Sequence, residues 1–330
     1  MKKMFSMLLA LMFIMGVLTA CGGAAKSAAH LEGQPAANGS GNRTGGNPKG
    51  DGPSSSGADL VIDPSTAKIA SMSIHITNNL LALGIKPAGS VIGGDVKDFL
   101  PHVKERLEGT VKYGVVADPD MEALLASKPD YIFIDSTYSG ADLAKFEKIA
   151  PTISINLDEG TWRDHLKQIA GYFGREAEAE SFIADYDAKA QRVSEKIKAK
   201  LGENAKVMAV RMTAKELRVM STARPLGPIL FKDLGLSMAD GVDKISADEP
   251  YEVISKEVLP DFDADAIFVI VSSGNEAAAN FAELEKNAVW QNLKAVKQKH
   301  VYVLDGQKWL DYSSLGQTMA LDNAEQLFNK

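Results

Sequence analysis

The chain has 330 residues, with 36 Lys and Arg against 43 Asp and Glu, a formal charge of −7 and a single cysteine. The acidic balance argues against a nucleic-acid partner. One thiol excludes an intramolecular disulfide, so the fold must stand on its core alone.

Lys2 and Lys3 open the chain, followed by the apolar run 4–17 and then Leu18-Thr19-Ala20-Cys21. A basic start, a short apolar stretch and small residues before a cut describe an export signal over residues 1–20, too short to persist as a spanning helix. The cysteine at the cut resembles that of a bacterial lipobox. The resemblance implies a lipid on Cys21 and anchoring on the extracytoplasmic face of the cell membrane. Loss of residues 1–20 removes two lysines and no acid, taking the formal charge to −9. Residues 21–58 are Gly, Ser, Ala, Asn and Pro with hardly an apolar side chain, a composition that predicts a disordered tether.

From residue 59 the patterns of strand and helix alternate. Apolar runs at 68–74 (KIASMSI), 86–92, 130–135 (DYIFID) and 151–157 (PTISINL) predict strands, and 78–83, 121–127 and 142–149 predict helices. This is the signature of an α/β lobe with a mostly parallel sheet, placed at 59–161. A connecting helical region, 162–202, follows. Within it, Phe182, Ile183, Tyr186, Ala190, Val193, Ile197 and Leu201 fall three or four apart along 176–201, one stripe of a 3.6-residue period. No Gly or Pro interrupts this run and Gly202 stands where it stops, which predicts one helix of roughly 39 Å. It reads either as a surface helix on a single domain or as a rigid strut between two lobes.

Recurrence beyond it favours the strut. Strands are predicted at 206–211, 217–221, 265–272 (DAIFVIVS) and 300–304, with helices at 227–234, 255–259, 289–296 and 313–328, giving a second lobe at 203–330. Glu122-Ala-Leu124 before Asp130-Tyr-Ile132-Phe133 matches Glu257-Val-Leu259 before Asp265-Ala-Ile267-Phe268, both spelling E-x-L-x5-D-x-I-F. The expected architecture is two similar α/β lobes joined by one long helix, with a ligand cleft between them.

Catalytic signatures are missing: no Walker loop, no G-x-S-x-G elbow and no H-E-x-x-H. The histidines His30, His75, His102, His165 and His300 show no ligand spacing, so no metal site made by the protein itself is expected. Binding residues are easier to find, because ligands of α/β sheets gather beyond the carboxyl ends of strands. His75, Lys97 and Tyr138 follow first-lobe strands, while Arg211, Arg218, Arg224 and Trp309 lie at or after second-lobe strands. Cations and rings converging on a cleft suit a large, anionic, partly apolar ligand. Lys97 beside Asp98 reads equally as a solvated pair, and Trp309 equally as packing.

The segments N-N-L-L-A-L-G-I-K-P (78–87), D-M-E-A-L-L-A-S-K-P-D-Y-I-F (120–133) and K-I-A-P-T-I (148–153) recur in a known family, as do L-R-V-M (217–220), L-F-K-D-L-G-L (230–236) and I-S-K-E-V-L (254–259). Together, over residues 60–330, the chain resembles the periplasmic-binding-protein-like receptors for ferric siderophores, the helical-backbone class that feeds ABC importers. The resemblance implies a monomeric, non-enzymatic receptor with no intrinsic cofactor, its iron held inside the siderophore. It also implies that Glu122 and Glu257 meet arginines of the two permease subunits, that Arg211 and Arg218 approach the ferric complex, and that Trp309 shares their crevice. Arg and Trp without a dense cationic cluster lean toward hydroxamate or citrate-hydroxamate ligands. His75 stands where many members carry an aromatic residue, which leaves its role open. Cobalamin and haem receptors share this fold and remain alternatives, as, from another class, do an exported enzyme and a sensor's ligand domain.

Overall fold

The computed structural model describes residues 61–93, 96–137 and 143–329. The predicted signal, Cys21, the tether and Tyr138 lie outside the described residues. The first lobe runs β1 (Ile69–Ser71), α1 (Ile74–Ala82), β2 (Gly89–Ile92), β3 (Val111–Val115), β4 (Asp118–Pro119), α2 (Met121–Ser127), β5 (Tyr131–Asp135), α3 (Leu143–Glu147) and β6 (Thr152–Ile155). Its sheet has the order β4-β3-β2-β1-β5-β6, parallel except at β4. The strand predicted over 68–74 stops at Ser71 because Ser73 takes the N-cap of α1, its hydroxyl accepting from the Ile76 N–H. The helix thus begins four residues before the predicted 78.

Next come α4 (Trp162–Gly171), closed at its start by a Thr161/Asp164 capping box, and α5 (Glu176–Leu201), the predicted 26-residue strut. The second lobe holds β7 (Lys206–Met212), β8 (Leu217–Met220), β9 (Ser237–Met238), β10 (Tyr251–Ile254), β11 (Ala266–Val271) and β12 (Val301–Val303). Its sheet has the order β10-β8-β7-β11-β12, with β9 beside β7, and β8 runs antiparallel to both neighbours. The helix predicted at 227–234 is a π-helical turn, Pro228–Asp233, and that at 255–259 is a 3-10 helix, Lys256–Phe262. Helices α6 (Asn275–Lys286), α7 (Ala288–Asn292), α8 (Lys294–Lys297), α9 (Gly306–Trp309) and α10 (Ser314–Phe328) complete the chain. Two α-helices, α7 and α8, stand where one was predicted over 289–296, the chain being extended at Leu293 between them.

The twin motif has the same geometry in both lobes. Ile69 pairs with Tyr131 and Ala70 with Ile132; Val207 pairs with Ala266 and Met208 with Ile267. One residue before each pair, an aspartate clamps the neighbouring strand: Asp130 Oδ2 accepts from the Lys68 N–H at 2.7 Å, and Asp265 Oδ2 from the Lys206 N–H at 2.8 Å. Both helices ahead of these strands end in a left-handed residue that is not glycine, Lys128 (φ 50°) and Asp263 (φ 41°), each six positions after its glutamate.

Alternation along the strands then divides the core. Phe133 and Phe268 point inward to one cluster containing Tyr186, Ala190, Val193 and Ile197 of the strut with Ala320, Leu321 and Ala324 of α10. Ile132 and Ile267 point outward to two separate clusters, under α2 through Leu124 and under the 3-10 helix through Leu259. The lobes therefore share one hydrophobic interior running through the strut. Polar ties reinforce it: Tyr186 donates to Asp233 Oδ2 at 2.8 Å, the Ser194 hydroxyl donates to the Leu234 carbonyl at 2.6 Å, and Lys196 meets Glu325 at 2.5 Å. Burial, with the charge of Asp233 adding to it, raises the Tyr186 phenol well above its ordinary pKa, so that it stays a donor. Among the described residues no helix is long and apolar enough to cross a membrane.

Candidate functional site

Residues beyond the carboxyl ends of β1 and β2 face those beyond β7, β11 and β12. Between them lies a cavity of about 540 Å³ lined by His75, Arg211, Ser272, Asp305, Gln307 and Asp311, among others. A second cavity, about 890 Å³, opens between the segment 158–165 and the segment 222–250; Arg224, Lys232, Tyr312 and Gln317 are part of its lining. Tyr312 stands between the two. Its ring stacks on His75 at 3.5 Å between centroids and carries the Arg224 guanidinium 4.5 Å from its centroid.

Arg211 and Arg218 are register partners across β7 and β8, so they share the face of the sheet that also carries Ala209 and Met220 into the shared core. Two like charges side by side repel, and each has an outlet. Arg211 donates through Nε to Ser272 Oγ at 2.9 Å. Arg218 forms two bonds to Glu216 Oε2, at 2.8 and 2.6 Å, and lies 4.0 Å over the Tyr251 ring. Arg224 reaches across to the first lobe, where Nη1 donates to the Leu157 carbonyl and Nη2 to Asp158 Oδ1. Gly227 makes this loop possible, since a Cβ there would meet the Thr222 carbonyl at 2.1 Å.

The wall behind Tyr312 is a buried polar clasp. Asp311, 3% exposed, takes 2.6 Å from Asn78 Nδ2, 3.1 Å from His75 Nδ1 and 3.0 Å from the Ser313 N–H. His102 Nε2 lies 3.5 Å from Oδ2, the oxygen that also accepts from Asn78, without hydrogen-bond geometry, an electrostatic contact only. Burial opposes charge on Asp311, but the His102 and His75 rings and the Ser313 N–H prevail and hold its carboxyl below the usual carboxylate range. Beside it, Asn79 Oδ1 accepts from the N–H and the hydroxyl of Ser314, at 2.9 and 2.7 Å. Gly316 lets α10 start against this loop: a Cβ there would meet the Asp311 carbonyl at 2.3 Å. His165, at the wall of the larger cavity, is pushed below its ordinary pKa by burial and bonds the Glu159 carbonyl at 2.6 Å.

Of the sequence candidates, the structure brings His75 and Arg211 to one cavity and links Arg224 to His75 through Tyr312, while Arg218 sits beside Arg211 on the sheet and lines neither cavity. Trp309 is elsewhere. It is fully buried, stacks on Phe268 and donates from Nε1 to Asn323 Oδ1 at 2.9 Å, so it packs the second-lobe core and lines neither cavity. The expected shared crevice of Arg211 and Trp309 is therefore not formed; the turn of α9 directs Gln307 and Leu310 to the cavity instead. Lys97 is exposed, in a left-handed conformation (φ 50°), next to the cavity-lining Val96, while its neighbour Asp98 pairs with Lys104 and Lys112. Tyr138 lies outside the described residues. Glu122 and Glu257 are exposed in the first turns of their twin helices, and hydrogen bonds from its own N–H and from Ser255 lower the Glu257 carboxyl.

Sequence reasoning missed Asp158, Asp311 and Tyr312. The only signal available was position: Asp158 follows a predicted strand end, and Asp311 and Tyr312 follow Trp309. Among the described residues no group of three or more His, Cys, Asp or Glu could hold a metal ion.

Residues 69–308 match the model of a family described as "Periplasmic binding protein". The chain is 29% identical over 264 residues to the "Probable siderophore-binding lipoprotein YfiY" of Bacillus subtilis (strain 168), covering 77% of this chain and 80% of that one. To the "Iron(3+)-hydroxamate-binding protein FhuD" of the same organism it is 32% identical over 221 residues, 66% of this chain and 68% of the other. Among solved structures, Staphylococcus aureus SirA complexed with staphyloferrin B superposes with a TM-score of 0.70 at 26% identity, over 80% of this chain and 93% of SirA.

Proposed function

The chain belongs to the periplasmic binding protein family, and from that premise we propose that it is a receptor that captures a ferric siderophore between its lobes and hands it to an ABC permease. The observation that carries this reading is the pair of cavities meeting at Tyr312, with Arg211 and His75 on one side and Arg224 on the other. Guanidinium forks suit the anionic oxygens of a chelate, and the Tyr312 and Trp162 rings suit its flat surface. Iron stays inside the ligand; the protein supplies charge and shape. Hydroxamate or citrate-hydroxamate chelates are favoured, with Arg218, Lys97 and Tyr138 at the rim. Trp309 then backs the wall from the core. Lipid on Cys21 anchors the receptor outside the membrane, the segment 21–58 tethers it, and a monomer with lobes at 59–161 and 203–330 presents Glu122 and Glu257 to the two permease subunits. The equal placement of those glutamates in twin helices supports such docking to a two-fold partner.

Titrating tryptophan fluorescence with ferric hydroxamates, catecholates, citrates, haem and cobalamin tests the ligand. Saturable quenching by a ferric chelate is expected, and a panel without any response sinks the reading. Changing Glu122 and Glu257 together to Ala should spare affinity and abolish uptake. The shared interior supports modest lobe closure, and a large compaction on loading, seen by small-angle scattering, would remove that point. Haem is the second reading, favoured by the Asp311-backed His75 at the smaller cavity; a Soret shift lost in His75→Ala would establish it.

A further inference from the structure

Arg224 carries a carboxylate already. It comes from the opposite lobe: Asp158 follows β6, Arg224 follows β8, and their ion pair crosses the larger cavity, whose lining includes both residues. The Leu157 carbonyl and the Tyr312 ring hold the guanidinium in place without neutralising it. Arg163, on the same lining, is engaged by Asp187 and Asp233 and stacked on Trp162 and Tyr186. The two pairs differ in exposure. Besides the exposed Asp187, Arg163 keeps a fixed structural partner in Asp233, 5% exposed, whereas the Asp158 carboxylate on Arg224 is 46% exposed and the Arg224 side chain 32%. An ion pair that is wet on both sides contributes little and exchanges easily, while the planar fork behind it stays oriented by ring and carbonyl.

We infer that Asp158 occupies, in the unliganded protein, the position of a ligand carboxylate, and that a chelate with a free or iron-bridging carboxylate takes its place on Arg224. This rests on the receptor reading above and names the chemistry that one subsite selects. A carboxylate-bearing chelate replaces a resident anion like for like, so the guanidinium is never left bare in the cavity. A chelate without a carboxylate has nothing to put there, and Asp158 stays. The exchange makes Asp158 a specificity residue: it competes with anionic ligands and is indifferent to the rest. Breaking the Arg224–Asp158 pair also removes one tie between the lobes exactly when the ligand supplies another.

The test uses the full chain with ferric citrate and ferrichrome, a neutral trihydroxamate, as probes. Titrations compare wild type, Asp158→Asn, Arg224→Gln and the double variant, with thermal unfolding as a check that each is folded. Displacement predicts that Asp158→Asn tightens ferric citrate about ten-fold, leaves the trihydroxamate unchanged, and loses its effect in the Arg224→Gln background. If Asp158→Asn has no effect on ferric citrate, or tightens it equally when Arg224 is gone, general electrostatics explains the data and the displacement is wrong. Should neither probe, nor any chelate of the wider panel, bind the wild type, the receptor reading itself falls and takes this inference with it.

Discussion

The two lobes agree along one seam and part company next to it. On one side, β1 with β5 and β7 with β11 have the same register, the same aspartate clamp and the same glutamate-bearing helix outside. On the other, β1 is followed by a helical crossover to parallel β2, whereas β7 turns straight back into antiparallel β8. A hairpin needs a few residues where a crossover needs a helix, and this one sets Arg218 beside Arg211 and sends the Arg224 loop toward the first lobe. The repeated half of each lobe makes matching outer surfaces; the unrepeated half makes an asymmetric cleft. Symmetry suits a paired partner, and asymmetry suits a ligand that has none.

The largest expected breaks concern residues that only the second lobe has. Asp311→Ala strips a buried acceptor from Asn78, His75 and Ser313 and should cost about 3–5 kcal/mol in urea unfolding. Trp309→Ala, which empties a core site, should cost a similar amount, about 3–5 kcal/mol, and a ligand affinity that dropped with stability untouched would return Trp309 to the cleft. On ligand affinity, Arg211→Ala should weaken binding by about 2–5 kcal/mol if its ligand contact is dry. The repeated seam gives a sharper, smaller test. Asp130→Ala and Asp265→Ala each remove the same clamp and should each cost about 1 kcal/mol, with Asp265→Ala losing in addition its partly exposed ion pair to Lys294; a larger loss at Asp130 would mean the lobes are less alike than their register. Arg218→Ala, a partly exposed pair with a ring beneath it, should change stability by no more than about 1 kcal/mol.

Acid gives a related measurement. The folded state holds the Asp311 carboxyl below its ordinary range, while the unfolded chain binds its proton near pH 3.9 or so. Its contribution is therefore complete above about pH 4 and is lost as the pH falls further. Urea midpoints should drop below that point in the wild type and drop less in Asp311→Asn.

How much of this was legible depended on burial. The runs IAS, YIFID and AIFVIV, buried on both faces, announced themselves. So did the strut, whose stripe is the one that packs. The strand VKYGV did not, because Val111 is 41% exposed and its glycine interrupts the alternation, nor did YEVI, an edge strand with two exposed positions. Helix α6 was overlooked although Ala277, Phe281 and Leu284 fall on one face. At the site, chain order alone brought out Arg211 and Arg224, since position after a strand is a property of sequence. Trp309 was misplaced by the same rule: a four-residue helix turned it inward. Asp158 and Tyr312 were invisible because their partners are far along the chain.

The clasp between Asn79 and Ser314 joins positions 235 residues apart. As the polypeptide emerges from the ribosome, α1 can meet its own sheet and α4 early, but α10, the helix it packs against most, is made last. The α10 side of α1 must wait for nearly the whole remainder of synthesis, and contacts of such sequence separation form late. A chain cut before Ser313 should therefore remain a substrate for chaperones and proteases, and its survival as a soluble, protease-resistant fragment would show that the early half needs no closing partner.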